Sequence, residues 1–292
     1  MKTSRVPRSC FPNLNRALPN VNITPPARLK GPQRIVCLTE ETTELLYALG
    51  EQDRIVGITA YTERPPAAKR DKPVVSAFVG GSIDRIRALK PDLIIGFSDV
   101  QAEYARSLIH AGFDVLITNQ RSLDDIFQTL TNTAALVHAH GAGQALLDQW
   151  WQALDATQAR CQQRSIDAGG RPSVYFEEWD EPMISCIHWV SELIEIAGGR
   201  NIFADRATGA ASKERYCSVE EVRHADPDIL LASWCGKPFD AEAAMQRLGK
   251  DIRAFACERV HEIPAEIILQ PGPACLTDGI AALEAAIWPG HG

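Results

Sequence analysis

Two stretches of this 292-residue chain repeat each other, and a chain that uses one unit twice has few folds open to it. Ser82-Ile-Asp-Arg-Ile-Arg-Ala-Leu-Lys-Pro91-Asp92-Leu-Ile-Ile lies on Ser218-Val-Glu-Glu-Val-Arg-His-Ala-Asp-Pro227-Asp228-Ile-Leu-Leu without a gap. Thr43-Glu44-Leu45-Leu46-Tyr-Ala-Leu-Gly50 matches Ser191-Glu192-Leu193-Ile194-Glu-Ile-Ala-Gly198 at a different offset, so the first half carries an insertion of about a dozen residues between its two blocks. Each longer block reads as a helix capped by Ser82 or Ser218, with acids in its first turn where the helix dipole favours them. Pro91 and Pro227 then end the helix, and a buried parallel strand follows.

Similar short apolar runs mark strands at 34–38, 54–58, 93–97, 115–118, 174–177, 229–234 and 260–263, with helical patterns between them. That alternation predicts an α/β protein of two Rossmann-like lobes with parallel sheets, joined by a long α-helix, with a ligand cleft between the lobes. The expected division is a basic leader at 1–32, a first lobe at 33–121, a linking helix and connector at 122–170 and a second lobe at 171–292. Within the linker Gly141 and Gly143 are placed to kink or split the helix, and 160–170 reads as a polar tail.

Charge narrows the function. The net charge is −7, yet residues 1–32 hold six Lys or Arg and no acid, leaving −13 on the other 260 residues. An acidic body does not suit nucleic acid. No run approaches the ~20 apolar residues that span a bilayer. The basic head is broken by prolines and shows no apolar segment of the length of a secretory signal, also ahead of Cys10. Eight scattered cysteines without a Cys-x-x-Cys pair fit reduced thiols. A monomeric, cytoplasmic protein is the expectation for the sequence as it stands, and a periplasmic one if an export signal goes unseen.

Open α/β sheets take ligands beyond the C-terminal ends of their strands. Aromatics recur there in both halves: Tyr61, Phe78, Phe97, Trp179, Trp189 and Trp234. They suit a large, partly apolar small molecule, or else are core residues near strand ends. Glu177-Glu178-Trp179-Asp180-Glu181 concentrates four carboxylates, which is either a solvated loop or a general acid/base pair. Cys186, His188 and Cys235 are either soft-metal ligands, with His188 axial to a bound complex, or buried thiols and a hydrogen-bonded imidazole. No phosphate-loop, dinucleotide, nucleophile-elbow or zinc-protease motif is present, and no catalytic residue is assigned. Gly80-Gly81-Ser82 can hold an anion or simply cap a helix.

The order strand, Glu-Leu-Leu-Tyr-Ala-Leu-Gly helix, Arg-Ile-Val-Gly-Ile-Thr strand, Tyr61-to-Pro66 turn and Lys-Pro-Asp-Leu-Ile-Ile resembles the iron-siderophore and vitamin B12 substrate-binding proteins of ABC importers. Glu178-Trp179-Asp180-Glu181-Pro182, Trp189, Gly198-Gly199-x-Asn201-Ile202-Phe203 and Pro-Asp-Ile-Leu-Leu look like the second lobe of the cobalamin-binding branch, and the likeness covers about 33–288. It implies a binding protein and not an enzyme, with no covalent cofactor. Cobalamin, haem, a ferric siderophore or a similar metal chelate would be its ligand. Implied ligand contacts are Tyr61, Phe78, Phe97, Trp179, Asp180, Trp189, Trp234, Gln270 and Pro271. Implied contacts with an ABC permease are Asp84 and, by the repeat, Glu220. A cytosolic cobalamin sensor or delivery protein and an enzyme using the 177–181 carboxylates are the alternatives.

Overall fold

The computed structural model describes residues 31–290. The expected basic leader therefore lies outside the described residues up to position 30, and so does Cys10. The first sheet is built from β1 (Ile35–Cys37), β2 (Ile55–Thr59), β3 (Val74–Ala77), β4 (Gly80–Gly81), β5 (Leu93–Phe97) and β6 (Val115–Thr118), in the order β4-β3-β2-β1-β5-β6. All its pairings are parallel except that of β3 with β4. Helices α1 (Glu40–Ala48), α2 (Pro66–Asp71), α3 (Ile83–Ala88) and α4 (Ala102–His110) fill the connections. Strand order reverses beside β1, whose neighbours are β2 on one side and β5 on the other, which puts the topological switch point between β1 and β5.

Two helices, α5 (Leu123–Leu136) and α6 (His140–Asp167), lead to the second sheet. That sheet holds β7 (Ser173–Asp180), β8 (Met183–Ser185), β9 (Arg200–Asn201), β10 (Ile229–Ala232) and β11 (Val260–Glu262), in the order β11-β10-β7-β8 with β9 also on β7. Its helices are α7 (His188–Ile196), α8 (Ala204–Ala207), α9 (Val219–Ala225), α10 (Ala241–Leu248), α11 (Arg253–Ala256), α12 (Ala265–Ile268) and α13 (Ile280–Ile287). Strands β7, β10 and β11 are parallel, and β8 runs antiparallel to the end of β7.

The repeat has a physical purpose in each lobe. Ser82 accepts a hydrogen bond from Arg85 N–H, and Ser218 accepts one from Glu221 N–H. Both helices stop at a left-handed residue just before the proline, Lys90 at φ 48° and Asp226 at φ 43°. The following aspartate then reaches across to the start of its lobe's first strand. Asp92 accepts from Gln33 N–H and Arg34 N–H, while Asp228 accepts from Ser173 N–H and the Ser173 hydroxyl. In the shorter block, α1 and α7 both end ahead of a left-handed glycine, Gly50 at φ 74° and Gly198 at φ 79°.

Three expectations are corrected. The linker splits at 137–139, where His138 takes φ 62°, and not at Gly141 or Gly143. Gly143 instead lets α6 pass close to α5, because a Cβ there would lie 2.5 Å from that of Ala134. The stretch 160–167 continues α6 and is no tail. Glu177 to Asp180 lie on β7 and not in a loop, since β8 pairs Trp179 with Ile184 and Asp180 with Met183.

Candidate functional site

The first lobe's strand ends are tied by Gln101. Its Oε1 accepts from Phe97 N–H, and its Nε2 donates to the carbonyls of Phe78 and Leu38. One buried amide thus fixes the loops after β1, β3 and β5. Phe97 is buried, with the Arg121 guanidinium 5.4 Å from its ring centroid and Arg121 paired to Asp99 at 2.9 Å. Phe78 is half-buried against the core, while Tyr61 is 54% exposed and available to a ligand.

In the second lobe β7 and β10 are neighbours with Ala232 beside Glu177, so Trp179, Asp180 and Trp234 emerge from adjacent strand ends. Lys237 unites them. Its ammonium lies 4.4 Å from the Trp179 ring centroid and 4.5 Å from that of Trp234 and bonds both Asp180 oxygens at 2.8 Å. The Asp180 carboxyl sits below its ordinary range: its burial pushes the other way, but Lys237 and Arg247 hold it ionised. Trp234 is 5% exposed, packs edge-on against Phe239, and its buried indole N–H has no acceptor. A cavity of about 410 Å³ is lined by Trp234, Lys237, Glu262, Pro264 and Glu266 among others.

Two more carboxylates of the acidic run are held as well, while Glu181 is exposed and joins no ion pair among the described residues. Glu177 is fully buried; its two oxygens accept from Arg247 Nη2 at 2.7 and 2.8 Å, and one also accepts from the Tyr175 hydroxyl. Burial raises its pKa against the pull of Arg247. Glu178 takes Arg215 at 2.6 and 3.1 Å. Neither is a free acid or base.

Trp189 is corrected. At 2% exposure it belongs to the core, because α7 turns that face inward and its indole N–H donates to the Ile268 carbonyl. His188, at the start of the same helix, sits close enough to Asp125 of α5 to help lower that residue's pKa, behind the backbone N–H of Arg121 and other causes. Cys186 is buried against Asn201 and Cys235 is exposed, and among the described residues no three His, Cys, Asp or Glu side chains gather as metal ligands. Gly80 and Gly81 form strand β4. Asp84 and Glu220 are exposed in the first turns of α3 and α9.

The two lobes meet where their strand ends do. Gln120 Nε2 donates to the Pro271 carbonyl at 3.1 Å, Arg64 bridges Glu44 at 2.9 Å and Asp278 at 2.8 Å, and Gly272 packs directly on Glu41. Pro271 is buried in this junction and Gln270 is half-buried beside it. Burial pushes Glu40 up to about 8 and Glu41 up to about 7, and both Glu41 oxygens lack a hydrogen-bond partner. Thr39, Thr62, Gln120 and Ser233 also keep buried side-chain oxygens without partners just past the ends of β1, β2, β6 and β10.

The profile of a family described as periplasmic binding protein matches residues 35–267. The chain belongs to this family. A vitamin B12-binding protein of Vibrio cholerae is 31% identical over 211 residues, covering 69% of this chain and 70% of the relative. An uncharacterized ABC transporter substrate-binding lipoprotein of Bacillus subtilis is 24% identical over 270 residues, covering 89% and 81%. Among solved structures, a periplasmic heme binding protein from Pseudomonas aeruginosa superposes with a TM-score of 0.74 over 89% of this chain and 94% of that one at 22% identity, a likeness of fold. The two-lobe α/β expectation and the family resemblance both stand.

Sequence reasoning gave no role to Lys237, Gln101 or Gln120. Lys237 sits in a loop already marked by Trp234, but its reach to Trp179 and Asp180 depends on β7 and β10 being neighbours. Gln101 and Gln120 leave no signal in the sequence, because a glutamine that ties loops looks like any other.

Proposed function

We propose that the protein is a substrate-binding protein that holds a corrinoid of the vitamin B12 type, or a related metal chelate such as haem or a ferric siderophore, for ABC-type uptake. The observation that carries the reading is the pair of indoles, Trp179 and Trp234, brought together at the C-terminal ends of β7 and β10 with Asp180 between strand and lysine. Flat apolar faces beside a few fixed polar groups suit a rigid macrocycle. Tyr61, Phe78 and Phe97 supply the facing apolar surface, and Gln270 and Pro271 close the floor. Trp189 keeps the floor rigid from below by holding Ile268. The relatives' names, lipoprotein and periplasmic, give the cytoplasmic expectation no support; an uptake role places the protein outside the cytoplasm. No described helix is long and apolar enough to cross a membrane. Asp84 and Glu220 are the proposed contacts with permease arginines.

Titration of the purified protein with cyanocobalamin, dicyanocobinamide, haemin and a ferric hydroxamate, followed by indole fluorescence and calorimetry, tests the reading. Saturable 1:1 binding of one of them with quenching is expected. Absence of saturable binding to all four ends it.

A further inference from the structure

Trp234 supports the proposed function, yet it has almost no free surface. It is 5% exposed: Phe239 meets it edge-on with ring centroids 5.0 Å apart, and the Lys237 ammonium lies over its ring at 4.5 Å. The two covers are held differently. Phe239 packs against the buried cluster of Tyr175, Leu230 and Leu248, and its N–H donates to Glu262 at 2.9 Å. Lys237 lies in an exposed run, Cys235 to Pro238, just after Gly236 at φ 87°, and its side chain keeps 39% exposure. Its ammonium is held by the Asp180 oxygens and by the rings of Trp179 and Trp234, the same groups that meet the ligand in the reading above.

A ligand that stacks on both indoles has to take the place of that ammonium. A flexible four-carbon stem can leave without moving the backbone, and its ammonium is strongly hydrated once in water. Asp180 is not left alone, since Arg247 Nη1 donates to its carbonyl at 2.9 Å and its side chain already meets solvent at 23% exposure. We propose that Lys237 is an internal occupant of the ligand site, covering the two indoles in the free protein and displaced when the ligand's apolar face stacks there. The inference rests on the reading that a metal chelate is held at these rings. It adds which contact has to break to admit the chelate and which residue tunes the affinity.

The test titrates cyanocobalamin, dicyanocobinamide, haemin and a ferric hydroxamate into the wild-type, Lys237→Ala and Lys237→Arg proteins and follows the probe that binds. Lys237→Ala is expected to bind at least about fivefold more tightly, the scale of one exposed ion pair and one cation–π contact removed together. Lys237→Arg should bind no more tightly than the wild type, because a guanidinium stacks on rings and meets a carboxylate with two N–H groups. Raising sodium chloride from about 0.05 to about 0.5 M should tighten wild-type binding relative to that of Lys237→Ala, since salt weakens the Lys237–Asp180 pair that the ligand has to break. Acrylamide should quench the indoles of ligand-free Lys237→Ala more strongly than those of the wild type. Equal or weaker binding by Lys237→Ala, or tighter binding by Lys237→Arg, overturns the inference and leaves the binding function standing. A salt response shared by the wild type and Lys237→Ala, or unchanged acrylamide quenching, overturns it as well. Failure of all four probes to bind any of the three proteins overturns the inference together with the reading it rests on.

Discussion

At the scale of single residues, the acidic run 177–181 shows how pairing decides between chemistries. A general acid/base pair needs two carboxyls whose surroundings set their proton affinities apart. Here three of the four are paired, Glu177 with Arg247, Glu178 with Arg215 and Asp180 with Lys237, each within 2.8 Å, and Glu181 is exposed outside these pairs. These pairs set the shape of the β7–β8 hairpin. Arg215, 4% exposed, also donates to the Ser185 carbonyl, so it joins Glu178 to β8 from beneath. Glu178→Gln leaves that guanidinium buried with its charge unmatched. A loss of about 2–3 kcal/mol of stability is expected, toward the low end for a broken buried pair because the amide still accepts one hydrogen bond. Urea unfolding measures it, and a change under 0.5 kcal/mol would show that the pair behaves as a surface bridge.

At the scale of elements, α1 carries the clearest tension. Its first turn places Glu40 and Glu41 where the helix dipole would favour anions, but burial outweighs the dipole and pushes both pKa values up from 4.5, to about 8 and about 7. Glu44, one turn on, is also raised by burial, with Arg64 opposing. In the folded state these acids bind protons between pH 4.5 and 8 that the unfolded chain has released. Stability is therefore greatest near and below pH 4.5 as far as these groups are concerned, and it falls as pH rises through 7 and 8. Thermal unfolding followed by circular dichroism from pH 5 to pH 9 should show a declining midpoint, flattened in Glu41→Gln. A midpoint that rises across that range contradicts the assignment. The helix itself was legible from Glu-Leu-Leu-Tyr-Ala-Leu-Gly, and so were the two Ser-capped, Pro-ended repeats, because caps, prolines and left-handed glycines are local signals. Strands β3, β4, β8 and β9 were not; β4 and β9 are two residues each, too short to show a period. Trp189 was misread for a related reason: sequence shows that an aromatic follows a strand, not which way the next helix turns it. The buried, unpartnered Glu41 was invisible because Gly272, which seals it, lies 231 residues away.

At the scale of the whole molecule, one hydrophobic cluster runs from Ile35 and Ile95 of the first sheet through Leu130 and Trp150 of the linking helices to Val174 and Leu276 beyond. A hinge that opened widely would have to expose part of that cluster. Apolar burial is worth about 25 cal/mol per Å², so such an opening is costly, and recognition by a permease must rest on surfaces already displayed when the lobes are in this arrangement. The contacts proposed above form such a pair. Asp84 and Glu220 hold the same place in the two capped helices α3 and α9, one on each lobe, and the Asp84 side chain is 93% exposed and pairs with Arg87 of its own helix at 2.8 Å. Solvated first-turn acids contribute little to folding, roughly 0.3–1 kcal/mol, which makes them separable from stability. The Asp84→Lys/Glu220→Lys variant should keep its unfolding midpoint within a few degrees and bind ligand as the wild type does, while uptake through the cognate permease in proteoliposomes falls by at least about tenfold, because each contact with an arginine becomes a repulsion. Each single variant should lose less, since one lobe still docks. Undiminished uptake by the double variant would assign the permease contact to another surface, and lost ligand binding would place these acids in the crevice instead.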